Sequence, residues 1–299
     1  MLFSILVFTI ALAAVDVPQV PVVPSDDEKT IQWIVNDFPP YLVLNSNKTE
    51  VDMSKAKGPL AEAYRLLDSG LPQYKHKYLR VPFVRMQKII ESKKPFCSLM
   101  FQETPARAQF LQFGEEIGRT IPAGLVVKSG AKAKYAVDGG KVDLAKTLQL
   151  GSFRLGVVAG RSYSPEVDEI LQRNQVSFRL MTDQAVGGLF QMLDAGRLDG
   201  VLAYYLEKSS IGVGEDAKTK FKFIPVKQST EAIILKASCV KTPWGTARLK
   251  DINPVIREKK FKDISLKHVL AMLPEQERKE YLELHRESEK TKPGISRGD

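Results

Sequence analysis

The sequence is poor in the residues from which enzymes most often build catalytic and metal sites. Its 299 residues include three histidines, two cysteines and two tryptophans. His76, His268 and His285 lie on polar segments without the spacing of metal ligands, so we expect surface side chains and no metal site. The sequence also lacks a G-x-S-x-G elbow, a P-loop and a zinc signature. We therefore predict neither an enzyme of those classes nor a bound cofactor.

Long apolar runs are also scarce, and the one that approaches a membrane span lies at the N-terminus. The run MLFSILVFTIALAAVD is uncharged from Leu2 to Ala14, which is shorter than the about 20 apolar residues that a transmembrane helix needs. Its small-residue end predicts a secretory signal peptide over residues 1–14. No Lys or Arg precedes the run, so a buried first strand and an uncleaved anchor stay open as alternatives.

Acidic residues are fewer than basic ones, and the formal net charge is +9. The lysines are scattered through stretches such as KSGAKAKY and REKKFKD, and no aromatic residues alternate with them as stacking platforms. We therefore expect no nucleic-acid partner. A basic surface can still raise the association rate of a small anionic ligand.

Alternating strand and helix patterns are abundant. The stretch IQWIVN is typical of a strand, and in GPLAEAYRLLDSG the apolar residues recur at the spacing of one helix face. The same alternation starts again after a Gly- and Lys-rich interruption at residues 128–146. Two α/β units with mainly parallel sheets are therefore predicted. The helical pattern from about residue 246 to 287 is too short for a third unit, and residues 287–299 are predicted to be a disordered tail.

Several local motifs, in this order, resemble one known family. They are WIVNDFPPY (33 to 41), Gly58 before the first helix, TPARAQFLQF (104 to 113), GLVVKSG (124 to 130), LGVVAGRSYS (155 to 164) and LDAGRLDGVLAYY (193 to 205). Over residues 28–286 the chain resembles the periplasmic solute-binding proteins of the polar amino acid family, the extracellular receptors of ABC importers.

The resemblance implies a two-lobed, type II periplasmic binding protein fold with two crossing hinge strands. Lobe one would contain residues 28–121 and 228–286, and lobe two residues 122–227. It places Cys97 and Cys239 in the same lobe, which makes them candidates for a disulfide bond; two buried thiols that never meet are the alternative.

Arg107 is the main candidate for ligand binding. It follows the apolar stretch FCSLMF and a Thr-Pro turn, and the carboxyl ends of parallel strands are where α/β sheets bind ligands. In the family, the arginine of this motif binds the ligand's α-carboxylate, which a guanidinium can hold through two parallel hydrogen bonds. The alternative is a surface ion pair with Glu103 or Glu115.

The other candidates follow from the same resemblance. Phe38 and Tyr41 would form an aromatic wall against an apolar or planar part of the ligand. Alternatively, one or both would only fill space within lobe one. Ser162 would add a hydroxyl beside the anion-attracting start of a helix. Arg161 would add a positive charge there, or else would point into solvent. Gln102, Thr104 and Tyr204 complete the candidate set.

Two of these positions depart from the family. Gln102 and Met100 replace small hydroxyl residues, and Tyr204 stands where relatives supply an acid for the ligand's α-ammonium. A phenol does not neutralise a buried ammonium, and leaving it unpaired is costly. We therefore expect a carboxylate-bearing ligand that need not carry an α-amine, such as an organic or aromatic acid.

The sequence thus predicts a monomeric, periplasmic solute-binding protein that closes around a small ligand and acts with the membrane permease of an ABC importer. Two alternatives stay open. One is a sensory or accessory module without a transporter, and the other is a lyase or dehydratase on the same fold, for which Glu115 or Glu116 would be a candidate base.

Overall fold

A computed structural model describes residues 28–290 of the chain, apart from 46–47, 133, 175, 177, 181–184 and 211–219. The predicted signal peptide lies outside the described residues, as do residues 291–299 of the predicted tail. Residues 287–290 of that tail are helical, because the last helix continues to Lys290. Its charged residues give little apolar periodicity, although its buried residues include Tyr281 and His285.

The first lobe is built on a six-stranded sheet. Its strands lie in the order β2, β3, β1, β4, β13, β5. Parallel pairing joins β1 to β3 and to β4, and every residue of β1 is buried because helices cover both faces. The bounds of these strands are β1 Thr30–Val35, β2 Glu50–Val51, β3 Lys75–Arg80, β4 Cys97–Ser98, β5 Leu111–Thr120 and β13 Ile233–Val240.

Five longer helices and one short turn of helix follow the strands of this lobe or cover its sheet. They are α1 Pro59–Gly70, α2 Phe83–Glu91, α3 Pro105–Ala108, α7 Pro243–Glu258, α8 Phe261–Met272 and α9 Glu275–Lys290. The start of α1 depends on Gly58, whose φ is +103°. A Cβ at Gly58 would lie 2.5 Å from the carbonyl oxygens of Pro40 and Tyr41, so only glycine lets α1 begin against the loop that carries Tyr41.

The second lobe is built on a five-stranded sheet in the order β10, β9, β11, β6, β12. Helix α6 packs on it and buries Leu189, Phe190 and Leu193. The bounds are β6 Gly124–Lys128, β9 Leu155–Val158, β10 Phe178–Leu180, β11 Gly200–Ala203, β12 Phe221–Pro225, α4 Leu144–Gln149, α5 Pro165–Arg173 and α6 Ala185–Asp194. A separate hairpin joins β7 Val137–Asp138 to β8 Lys141–Val142.

The chain passes between the two sheets twice. Residues 121–123 lead from β5 to β6, and residues 226–232 lead from β12 back to β13. The outgoing and returning strands are antiparallel neighbours in both sheets: β5 pairs with β13, and β6 with β12. The two-lobed fold is therefore confirmed, but each sheet is mixed instead of mainly parallel, because strands that leave and return side by side must run in opposite directions.

Helix α9 lies across both lobes. Its Glu280 accepts a hydrogen bond from Tyr205 of the second lobe at 2.6 Å, and its Glu277 forms an ion pair with Lys208 at 3.2 Å. Near its other end, the carbonyl of Ser288 accepts a hydrogen bond from Ala232, in the returning crossing, at 3.2 Å. The C-terminal helix therefore contacts more than the first lobe to which the sequence assigned it. None of the helices in the described part of the chain is both long and apolar enough to cross a membrane.

Cys97 and Cys239 form a disulfide bond. They are direct partners on the antiparallel strands β4 and β13, with Cα atoms 4.0 Å apart, and both are fully buried. The bond links strands that are 142 residues apart in sequence, and so joins the N-terminal part of the first lobe to the segment that returns from the second lobe.

Removing this disulfide should destabilise the protein. Replacing both cysteines, with Cys97→Ala and Cys239→Ala, should lower the free energy of unfolding by about 2–4 kcal/mol, because the bond restricts a long loop in the unfolded chain. Urea unfolding with and without reductant measures the difference. Reductant should shift the midpoint of the wild-type protein and leave that of the double variant unchanged; equal midpoints for the two oxidised proteins would contradict the expectation.

Candidate functional site

The carboxyl ends of parallel strands from the two sheets face a common gap. The loops after β1 and β4 approach from the first lobe, and those after β9 and β11 approach from the second. They enclose an inner cavity of about 50 Å³. Seven predicted site residues line it, namely Phe38, Tyr41, Gln102, Arg107, Arg161, Ser162 and Tyr204, together with Phe83, Met100, Thr120, Ile233 and Leu235. The eighth, Thr104, lines a wider outer opening of about 470 Å³.

Arg107 lies at the boundary between the inner cavity and the outer opening, since it lines both. Thr104 sets its position by capping the short helix α3, where its Oγ1 accepts a hydrogen bond from the Arg107 amide at 3.3 Å. The guanidinium donates from Nη1 to the carbonyl of Gln102 at 3.0 Å and lies 5.5 Å from the centre of the Phe101 ring. Burial lowers the pKa of Arg107, although the charges of Tyr204 and Asp168 oppose this shift.

The surface ion pairs considered for Arg107 do not form. Glu103 pairs with Lys236 and Glu115 pairs with Arg257, each at 2.6 Å. Within the described part of the chain, no acidic group lies within ion-pair distance of the Arg107 guanidinium. It is therefore a cation at the gap with hydrogen-bonding capacity to spare.

Arg161 does not point into solvent. Its side chain is only 5% exposed, and Nη1 donates to both carboxylate oxygens of Glu207, at 2.9 and 3.0 Å. The guanidinium carbon lies 4.9 Å from the ring centre of Phe38, 5.5 Å from that of Tyr204 and 5.6 Å from that of Phe83. Arg161 therefore reaches from the second lobe into an aromatic enclosure to which both lobes contribute.

Glu207 is the buried counter-charge of Arg161. It is 0% exposed and also accepts a hydrogen bond from the amide of Tyr204 at 2.8 Å. Burial raises the pKa of Glu207, whereas the guanidinium of Arg161 and the Tyr204 amide favour its ionised form. A buried charge pair is stable only with such additional hydrogen bonds.

The predicted anion site beside Ser162 already holds a carboxylate of the protein. The hydroxyl of Ser162 donates to Asp168 Oδ2, and the amide of Tyr163 donates to Asp168 Oδ1 at 2.8 Å. Ser164 caps α5 by accepting a hydrogen bond from Val167. Two of the polar groups expected to attract a ligand's anion at this helix start, the Ser162 hydroxyl and the Tyr163 amide, thus bond to Asp168.

The aromatic wall is present and spans both lobes. Phe38 and Tyr41 stack with ring centres 4.9 Å apart, and the Tyr204 ring meets both edge-on, at 5.8 and 6.4 Å. Tyr41 is 4% exposed and shares a hydrogen bond with Thr120 at 3.2 Å. The Tyr204 hydroxyl donates to the carbonyl of Ser162 at 3.2 Å. Aromatic contacts therefore connect the two lobes across the cavity.

Sequence reasoning missed Phe83, Asp168 and Glu207. Phe83 follows β3, and this position just beyond the end of a strand could have identified it as a candidate. Asp168 lies in the first turn of α5, where an acidic residue is favourable to the helix dipole in any case, so its position gave no signal of a place in the site. Glu207 lies in a 3₁₀ helix over Tyr205–Ser210 with no motif of its own. Glu115 and Glu116, the candidate bases, line neither the inner cavity nor the outer opening.

Metal ligands do not cluster in the described residues: no group of three or more His, Cys, Asp and Glu side chains could hold an ion. The expectation of surface histidines is nevertheless wrong for two positions. His76 has a side chain 8% exposed and accepts a hydrogen bond from Trp33, and His285 is 8% exposed beside Tyr281. Both are structural residues of the interior.

The pKa of Asp168 should report the charge of Arg107 across the gap. Burial raises this pKa above the usual value of about 3.9, while Ser162, Tyr163 and Arg107 oppose the shift. Arg107→Ala should therefore raise it further. Because the folded state then binds the proton more tightly than the unfolded chain, the contribution of Asp168 to stability falls as pH rises through this pKa, and the variant should show a steeper fall.

Carboxyl NMR titration of Asp168 measures this effect. Arg257→Ala, which removes an exposed guanidinium paired with Glu115, is the matched control and should leave the pKa of Asp168 unchanged. An unchanged pKa in Arg107→Ala would show that the two groups do not face each other in solution.

No model of a known protein family matches the sequence, and no curated protein matches it. Solved structures do resemble it. An ancestral arginine-binding protein bound to arginine is 16% identical, with a TM-score of 0.59, over 80% of this chain and 98% of that one. The amino acid ABC transporter substrate-binding protein AbpA from Streptococcus pneumoniae, bound to L-arginine, is 14% identical, with a TM-score of 0.59, over 82% and 94%.

A third structure is an ancestral amino acid-binding protein described as a precursor of cyclohexadienyl dehydratase. It is 14% identical, with a TM-score of 0.58, over 81% of this chain and 95% of that one. At these identities the likeness concerns the fold. The chain therefore has the two-lobed α/β fold of type II solute-binding proteins, whose solved members include substrate-binding proteins of amino acid ABC transporters.

Proposed function

We propose that the chain is an exported receptor that binds a small carboxylate-bearing ligand between its lobes and closes around it by hinge motion. The observation that carries the proposal is Arg107, a cation that lines both the inner cavity and the outer opening and lacks an ion-pair partner among the described residues. A guanidinium in that position can hold a carboxylate through two hydrogen bonds and exchange it with solvent through the opening.

The lobes as we propose them consist of residues 28–121 with 228–286, and of residues 122–227. Their arrangement supports hinge closure, because the cavity wall contains residues of both lobes and two short crossings, 121–123 and 226–232, join the sheets. Closure stabilises a ligand only through contacts that the open form cannot make. Arg107 and Tyr204, from opposite lobes, would supply such contacts.

Delivery to the permease of an ABC importer and a periplasmic location are further parts of the proposal. The likeness to substrate-binding proteins of amino acid transporters supports them. A sensory module would bind its ligand in the same way, and reconstitution with a candidate permease separates the two roles. A lyase or dehydratase would convert the ligand, so mass spectrometry of ligand incubated with the protein tests that alternative.

Loss of the Arg107 guanidinium should abolish binding with little effect on the unliganded protein. Native mass spectrometry first identifies any co-purified ligand, and calorimetry with a panel of two- to five-carbon acids then measures affinity. Arg107→Ala should weaken binding roughly 30-fold or more, since removing one partner of a charged hydrogen-bonded pair costs about 2–5 kcal/mol. The melting temperature without ligand should change little, because the one hydrogen bond that the guanidinium makes to the described residues is to the carbonyl of Gln102.

Arg257→Ala serves as the control, since it removes an arginine from an exposed ion pair whose two residues line neither cavity. Equal affinities of wild type and Arg107→Ala for every acid that binds would overturn the proposal. A loss of affinity in Arg257→Ala as large as that in Arg107→Ala would show that the effect reflects net charge and not the site.

An α-amine should add nothing to affinity. Among the described residues, no acidic side chain lines the inner cavity, and the nearby carboxylate of Glu207 is already paired with Arg161. A ligand's ammonium would therefore be desolvated without a free partner. Calorimetry on the pairs alanine and propionate, and phenylalanine and 3-phenylpropionate, compares the two classes. Clearly tighter binding of the amino acid in either pair would make this expectation wrong.

A further inference from the structure

The surroundings of Arg161 form a complete binding compartment for a guanidinium. Phe38 and Phe83 of the first lobe and Tyr204 of the second surround the charged group at 4.9 to 5.6 Å, within the range at which a cation is attracted to an aromatic ring. Glu207 supplies the counter-charge from the second lobe. Ordinary surface arginines have one partner and abundant water, whereas this side chain is 5% exposed.

We propose that Arg161 is a built-in occupant of this compartment and a specificity-determining residue, which restricts the receptor to small acids without a cationic group. The inference rests on the proposed function, because it concerns the ligand of the same cavity. Arg161 belongs to the protein and never leaves, so the enclosure formed by Phe38, Phe83, Tyr204 and Glu207 is closed to any cationic ligand.

The charges of the cavity lead to the same conclusion. Arg161 and Glu207 neutralise each other, and Asp168 is held by Ser162 and Tyr163. The charge that still faces the cavity without an ion-pair partner among the described residues is the positive one on Arg107. A ligand with its own cation would meet this like charge in the inner cavity, where none of the described lining residues is acidic, so it is disfavoured as well as excluded by volume.

The size of the inner cavity sets the second limit. About 50 Å³ remains with Arg161 in place, and one water molecule requires about 10–15 Å³ on this measure. The side chain of a long cationic amino acid needs the space that Arg161 fills. A small carboxylate at Arg107 needs only the remaining space, so Arg161 selects by volume and by charge at once.

The test removes the Arg161 side chain by mutation and adds a small guanidinium compound to the solution. Arg161→Ala removes the atoms that correspond to ethylguanidinium. We expect this variant to melt at a lower temperature than wild type, and ethylguanidinium at millimolar concentration to restore the melting temperature along a saturable curve. Wild type should show no such gain. Ethylammonium should not substitute, because its compact and strongly hydrated ammonium cannot stack on the aromatic rings that surround the planar guanidinium.

Two variants control the assignment. Arg107→Ala removes a guanidinium from the same cavity that has no buried carboxylate partner, so ethylguanidinium should not raise its melting temperature. Combining Arg161→Ala with Glu207→Gln keeps an oxygen for the Tyr204 amide and removes the counter-charge, so this variant should fold without responding to ethylguanidinium. If Arg161→Ala does not fold alone, refolding with ethylguanidinium must increase the yield of folded protein over refolding with ethylammonium.

The specificity itself is measured with L-arginine, which carries both a carboxylate and a guanidinium. Arg161→Ala should bind it at least tenfold more tightly than wild type does. Absence of rescue by ethylguanidinium, in thermal melts or in refolding yield, or equal affinities for L-arginine, would overturn this inference and leave Arg107-dependent binding of small acids intact. Absence of Arg107-dependent acid binding in wild type, with rescue still present, would instead overturn the proposed function, and with it the role of Arg161 in specificity, while the guanidinium compartment itself would stand.

Discussion

The ion pair between Arg161 and Glu207 is the contact on which the centre of the molecule depends. Burying either charge alone would be strongly unfavourable, and together they are stable only because the Tyr204 amide and three aromatic rings surround them. Since two of those rings belong to the first lobe, the pair also brings Arg161 of the second lobe into contact with the first. The character of the remaining cavity follows: apolar walls, no free carboxylate at hand, and the guanidinium of Arg107 at its edge.

The site is assembled from short loops at the ends of strands. Phe38, Arg107, Arg161 and Tyr204 come from four separate segments, which follow β1, β4, β9 and β11. Their positions are fixed by contacts that have no binding role of their own, such as the Thr104 cap before Arg107 and the tight packing of Gly58 against the loop of Tyr41. A rigid scaffold therefore supports polar groups whose hydrogen bonds are only partly satisfied by the protein.

The two crossings and helix α9 connect the lobes at the side of the gap. The disulfide fastens β4 to β13, so the segment that returns from the second lobe is held to the strand that leads to Arg107. Helix α9 then contacts the second lobe through Tyr205 and Lys208 and the returning crossing through Ser288. The hinge closure that we propose would also move the contacts of α9, because they join the same two lobes as the crossings.

The sequence by itself determined the elements and the order in which they occur. The period of apolar residues predicted α1, the strand around Trp33 and the restart of the α/β pattern, because local burial imposes a local spacing. The motif around Arg107 predicted a cation beyond a buried strand, and the structure places it at the gap. The ten-residue strand β5 and the antiparallel pairing of the crossings were not predicted, since the paired residues, such as Thr120 with Ile233 and Lys128 with Phe221, lie far apart in the chain.

Only the tertiary structure decided what each charge does. Nothing near Arg161 in sequence shows that it pairs with Glu207, 46 residues further on, or that Asp168 takes the hydroxyl of Ser162. Sequence spacing likewise could not say whether Cys97 and Cys239 meet. The physical reason is the same in each case. The partner that a charged group or a thiol acquires depends on which groups surround it and exclude water. Those groups are brought together only by folding of the whole chain.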